Sequence, residues 1–186
     1  IDGGTLYVQL KNVGEQVRFR LVKTAESYTF DAKHFQQTPD GKWENWECPR
    51  VMHEQPCETC DKWFEIRKQM KDLDITSAEY KKLDNDSSKY KAKLTFFYPI
   101  IDRGLKKAKI LQTTLSVRKE LEKDFENGLD LYEYDYVLKR NAKNGAETYT
   151  LTRMDSKMTA EFDEQELLQY NMASEWDLKE KVGGRK

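Results

Sequence analysis

Histidine and cysteine are scarce in this chain of 186 residues, which has two of the first, three of the second, four prolines and nine glycines. Three cysteines cannot all pair off within one chain, and the sequence shows no signal peptide, so a disulfide framework is not expected and a reducing, cytosolic setting is. No apolar stretch approaches the roughly 18 residues that a membrane span needs, which leaves no membrane partner. Hydrophobic residues make up 38% and charged ones 35%, so the core is modest and the surface heavily charged. With two histidines there is little material for acid–base chemistry. The chain starts at Ile1 rather than methionine, which reads as a piece of a longer protein.

The scarce residues that do occur are concentrated. Cys48, His53, Cys57 and Cys60 follow a Cys-x4-His-x3-Cys-x2-Cys pattern that uses every cysteine. Four soft ligands suit tetrahedral zinc, and a site with all four positions filled by protein is structural. Iron–sulfur clusters usually take four thiolates, which argues against them here. Pro56, Cys57 and Cys60 match half of a zinc-deaminase signature. However, the upstream His-x-Glu is missing, and Cys48 takes the place a catalytic water requires. A structural zinc ion is therefore the expected cofactor, with no catalytic residue assigned.

Charge is balanced overall at −1 but unevenly spread. Residues 155–186 hold eight acidic and five basic side chains, which leaves 27 basic against 25 acidic elsewhere. Between Lys89 and Ile110 there are seven basic residues and a single acid, Asp102. Such a stripe suits a charged groove and equally suits a solvated face.

Alternation over Gln16–Lys23 predicts a strand with Val17, Phe19 and Leu21 on one face and Arg18 and Arg20 on the other. Ser27–Phe35 alternates again, and Pro39-Asp40-Gly41 marks a turn. Helices are predicted over 61–73, where Trp63 and Phe64 read as packing residues, and over 76–83, with Thr76 as cap and Glu79 completing a capping box. Lys89–Ile101 reads as a strand with Tyr90, Leu94, Phe96 and Tyr98 facing the core and Lys89, Lys91, Lys93 and Phe97 facing out. A short strand at 108–112 and a helix from Thr113 or Thr114 to Asn127-Gly128 follow. Tyr132–Arg140 and Ala146–Arg153 form a hairpin around Asn144-Gly145.

These elements predict a mainly β protein with α insertions. Its expected architecture is an OB-fold, a five-stranded partly open barrel, over 1–154, with an inserted zinc subdomain at about 41–86 and an acidic, helical C-terminal segment over 155–186. A cleft of that kind binds single-stranded nucleic acid through cations and stacking rings. The candidate contacts are Arg18, Arg20, Trp43, Trp46, Arg50, Lys89, Lys91, Lys93, Phe97, Lys106 and Lys107.

The run DGKWENWECPRVMHEQPCETCDKWFEI, followed by SKYKAKLTFFYPIID, resembles the zinc-containing single-stranded DNA-binding (helix-destabilising) proteins of tailed bacteriophages, over roughly 16–153. The resemblance implies sequence-independent coating of single strands in DNA replication, recombination and repair, in the cytoplasm of the infected bacterial host. It also implies self-association on DNA and recruitment of replication and recombination proteins by the acidic segment. Two other readings stay open: a zinc-containing interaction adaptor of the replication machinery, or a nucleic-acid-processing enzyme.

Overall fold

The structure, a computed structural model, describes residues 7–23, 29–142 and 148–155. The chain divides into two compact units, one made of 1–30 with 95–186 and the other of 31–94. The Asn144-Gly145 turn and the helical reading of the acidic segment beyond Asp155 lie outside the described residues.

The first unit is built on a sheet whose strands run β1 (Tyr7–Val8), β6 (Lys107–Thr114), β5 (Lys93–Asp102), β2 (Gln16–Leu21), β7 (Asp135–Arg140), β8 (Tyr149–Arg153). β1 pairs parallel to β6 and the other neighbours on this path pair antiparallel. This is a mixed open sheet and not a closed barrel: the described path runs from β1 at one end to β8 at the other. Among the described residues the sheet has eight strands, rather than the five of the expected barrel, and two more than the six segments that the sequence marks as strands. The extra strands are ones that alternation alone does not mark. β1 has two residues, and β4 (Trp43–Glu47) has no apolar/polar alternation to reveal it.

Alternation over β2 works as its sequence suggests. Val17, Phe19 and Leu21 are buried, and Phe19 stacks on Tyr136 of β7 at 5.9 Å and 25°. Tyr98 and Ile100 of β5 and Leu138 of β7 complete this layer. Helix α4 (Leu115–Glu126) packs on β6 and β8 and buries Val117 and Leu121. Each such aliphatic or aromatic side chain removed from water contributes roughly 1.5–3 kcal/mol. The Tyr136 hydroxyl bonds Asp124 of α4 at 3.2 Å, which marks this as the helix-covered face of the sheet.

The second unit holds most of β3 (Thr29–Gln37), then β4, and the helices α1 (Pro49–His53), α2 (Glu58–Gln69) and α3 (Ala78–Ser88). α3 is capped by Ser77, whose hydroxyl accepts from the Tyr80 N–H at 3.1 Å; Thr76 instead bonds Asp74. The strand expected from Lys89 starts only at Lys93, because Lys89 still caps α3 and Tyr90 donates its N–H to Ser87 at 3.0 Å. Tyr90 is therefore a loop residue and not part of the core row, whereas Phe96 and Tyr98 are buried. Phe64 is also not a packing residue: it is 51% exposed, with the Arg50 guanidinium over its ring at 5.3 Å. No described helix is long and apolar enough to cross a membrane.

Candidate metal centre and basic aromatic groove

Each residue of the candidate metal site is placed by a local device. β3 and β4 form a hairpin closed by residues 38–42. There the Thr38 N–H bonds the Lys42 carbonyl at 2.8 Å, and Gly41 takes φ +84, which costs little without a Cβ. The register sets His34 opposite Trp46, and beyond the last pair the Cys48 N–H bonds the Ala32 carbonyl at 2.8 Å. Alternation along β3 turns Ala32 and His34 to the same, fully buried side. Pro49 then starts α1 directly after Cys48, and Glu54, left-handed at φ 56, ends it. Cys57 is the N-cap of α2, and Cys60 lies one turn inside that helix.

These devices bring His34, Cys48, Cys57 and Cys60 together. Their ligand atoms all lie within 4.8 Å of one another, and all four residues are buried. Cys48 Sγ is 3.4 Å from Cys60 Sγ, and His34 Nε2 is 3.3 Å from Cys57 Sγ and 3.5 Å from Cys60 Sγ. A tetrahedron with metal–sulfur bonds of about 2.3 Å and a metal–nitrogen bond of about 2.0 Å has edges of roughly 3.5–3.8 Å, close to these separations. The donor set therefore fits a metal ion held by one imidazole and three thiolates.

His53 is not part of it. That side chain is 47% exposed and its Nε2 contacts Glu47 Oε1 on the surface. Proximity in sequence favours His53, but the hairpin brings in His34 from 14 positions before Cys48.

The Cys57 and Cys60 thiols are shifted in opposite directions. Burial pushes Cys60 up to about 12, with the neighbouring Cys48 and Cys57 adding to the shift. Burial also acts to raise Cys57, but hydrogen bonds from the Cys60 backbone and side chain outweigh it and lower its pKa, as expected for a thiolate at a helix N-terminus. Burial holds His34 below the ordinary imidazole value, so its ring favours the neutral form that ligates metal.

A groove of about 520 Å³ lies in the same unit. Four rings line it, from Phe35, Trp43, Trp46 and Tyr90, together with four ammonium groups, from Lys62, Lys89, Lys91 and Lys93. No carboxylate is among its described lining residues; the remainder are Gln36, Gln37, Thr59 and Ser88. Trp43 is 67% exposed. Lys93 sits over the Phe35 ring at 4.9 Å and Lys62 over Tyr90 at 5.9 Å. Lys89 is partly engaged by Asp86 at 2.8 Å, which raises its pKa.

Groove and metal cluster share their backbone. Phe35 follows His34, Thr59 lies between Cys57 and Cys60, and the Trp46 ring is 5.8 Å from that of His34.

Among the sequence candidates, the groove gathers Trp43, Trp46, Lys89, Lys91 and Lys93. It adds Phe35, Lys62 and Tyr90, which sequence reasoning missed. Period-2 counting places Tyr90 in the core, and Lys62 shows no signal beyond its charge. Arg50 is not a lining residue; it pairs with Asp61 at 2.6 Å. Arg20 is a correction: it is 6% exposed and bonded to Asp135 at 2.9 Å, so it presents no wall to a partner. Arg18, Phe97, Lys106 and Lys107 belong to the first unit. Arg18 also meets Asp135, Phe97 packs edge-on to Tyr7 at 6.1 Å, and Lys106 and Lys107 are exposed at the β5–β6 turn. No family model, curated protein or solved structure matches this chain.

Proposed function

We propose that this chain is a sequence-independent single-stranded DNA-binding protein that coats exposed strands in phage DNA replication, recombination and repair, with a structural zinc ion at His34, Cys48, Cys57 and Cys60. The groove carries this reading, with four rings and four ammonium groups in one trough and no carboxylate among its described lining residues. Unpaired bases expose flat faces that stack on such rings, each worth roughly 1–3 kcal/mol, while lysines meet phosphates without reading base edges. Stacked bases in a duplex offer no free face to Trp43 or Tyr90. The bound zinc would supply fold stability and no chemistry, because all four of its positions come from protein.

On this reading the sheet is an opened OB-type platform. The acidic segment 155–186 contacts replication and recombination proteins, and the protein works in the cytoplasm of the infected bacterial host. The test is a titration of labelled oligo-dT and of a duplex of equal length at several salt concentrations. Single strand is expected to bind more tightly, with log affinity falling by about 0.7 per phosphate neutralised for each tenfold rise in salt. Equal affinity for the two forms contradicts the proposal.

A further inference from the structure

The first unit has a cavity of its own, of about 610 Å³, bounded by the end of β2, by β5, by α4 and by residues 128–132. Leu21, Tyr98 and Leu121 line it and are themselves buried. Leu129, Leu131 and Tyr132 line it half-buried, and the lining residue Phe125 is 70% exposed. A cavity of this size and lining takes bulky apolar groups, and an apolar lining that continues out to solvent marks a contact surface. Of its four charged lining residues, three are engaged with their neighbours. Arg118 pairs with Glu122 at 2.7 Å, and Asp130 accepts from the Tyr132 N–H at 3.0 Å. Lys23 lies over the Tyr132 ring at 5.8 Å, and its ammonium is the lining group placed to meet an incoming carboxylate.

The described chain ends beside this cavity. Met154 donates its N–H to the Asp135 carbonyl at 2.9 Å, three residues from Tyr132. Arg153 pairs with Asp124 at 3.1 Å, and Asp124 is the neighbour of Phe125. Residues 156–186 follow, and their stretch EFDEQELL at 161–168 holds Phe162, Leu167 and Leu168 among four carboxylates and no cation. Phe162 is eight residues beyond Met154, at most about 26–29 Å of extended chain, whereas Tyr132 is within about 10–11 Å of chain from Asp135. A tether so short holds the stretch at an effective concentration in the millimolar range, so docking needs little affinity of its own.

We propose that residues 161–168 of this chain dock in the cavity, with Phe162, Leu167 and Leu168 against Leu129, Leu131 and Phe125, and with a carboxylate beside Lys23. The docking stands independently of the groove of the second unit and of any nucleic acid. If the acidic segment also serves replication and recombination proteins, as proposed above, such a partner has to displace it from the cavity first.

The test uses the full chain and no DNA, so its failure is separate from failure of the groove reading. Photoreactive p-benzoylphenylalanine replaces Phe162, an equal mixture of isotopically light and heavy copies is irradiated, and the products are mapped by mass spectrometry. Cross-links from position 162 to Leu121, Phe125, Leu129, Leu131 or Tyr132 within one copy are expected. Phe125→Glu puts a charge on the docking surface and is expected to lower their yield about tenfold. In parallel, the methyl resonances of Leu129 and Leu131 are compared by NMR between the unaltered protein and the double variant Leu167→Ser, Leu168→Ser. Shifts at both leucines are expected, and this arm decides even where the bulkier probe blocks docking. Cross-links found only between light and heavy copies make a second copy the occupant and overturn the proposal. Unchanged Leu129 and Leu131 resonances, with no cross-link to the cavity, overturn it as well.

Discussion

His34 and His53 differ in two ways that matter, burial and register, and only one of them shows in a linear pattern. His53 stands between cysteines and completes a familiar spacing, but its ring is on the surface beside Glu47. His34 was legible as part of an alternating row with Phe30 and Ala32, and that row is what buries it. The link to Cys48 is non-local and comes from the β3–β4 register, which spacing does not reveal. His34→Ala is accordingly expected to abolish stoichiometric zinc in the purified protein, while His53→Ala retains it; metal analysis of the two variants decides. The same residue sets a pH dependence. Its folded pKa lies below the unfolded one, so its contribution is present above the ordinary imidazole pKa and is lost as pH falls through the lower folded value. Zinc retention measured against pH should fail on that acidic side and not on the alkaline side. At Asp135, which pairs with Arg18, Arg20 and Arg103, the expected cost is electrostatic. Asp135→Asn leaves three guanidiniums around a neutral amide and is predicted to destabilise by about 3–5 kcal/mol in denaturant unfolding, as for one partner removed from a buried ion pair.

At the scale of elements, strands and helices with an apolar side were readable and those without one were not. β2, β5 and α4 declare themselves through Phe19, Ile100 and Leu121, which are all buried. β4 carries Trp43, Glu44, Asn45, Trp46 and Glu47, none of them in the core, and its place comes from pairing with β3. The start of β5 is not legible in the sequence, because Lys89, Tyr90 and Lys91 continue its alternation while the backbone is still closing α3. The same continuity hides Tyr90, whose ring lines the groove because the chain there is a loop. Helix α3 depends on its cap. Ser77→Ala is expected to cost about 1 kcal/mol by loss of the bond to the Tyr80 N–H, measurable as a shift in unfolding midpoint. Leu121→Ala, which empties a buried position under α4, is expected to cost about 2–5 kcal/mol in the same assay.

For the whole molecule, metal and groove lie in one unit and the arginine cluster in the other, so their stabilities should separate. The second unit buries few large aliphatic side chains: its buried cluster is Ala32 with the three cysteines, backed by Met52, Ala92 and Leu94. A metal ion held by that cluster would stand in for part of a hydrophobic core, and its binding free energy would become folding free energy. Chelation should raise amide hydrogen exchange across 31–94 and leave the Phe19, Ile100 and Leu138 region of the first unit protected. Uniform deprotection of both would contradict that division. The groove's purpose is tested most directly by oligo-dT affinity of the double variant Trp43→Ala, Lys91→Ala, two groove-lining side chains on the protein surface. The account predicts at least a tenfold loss, about 1.4 kcal/mol or more, with zinc content unchanged. Affinity equal to that of the unaltered protein would contradict it.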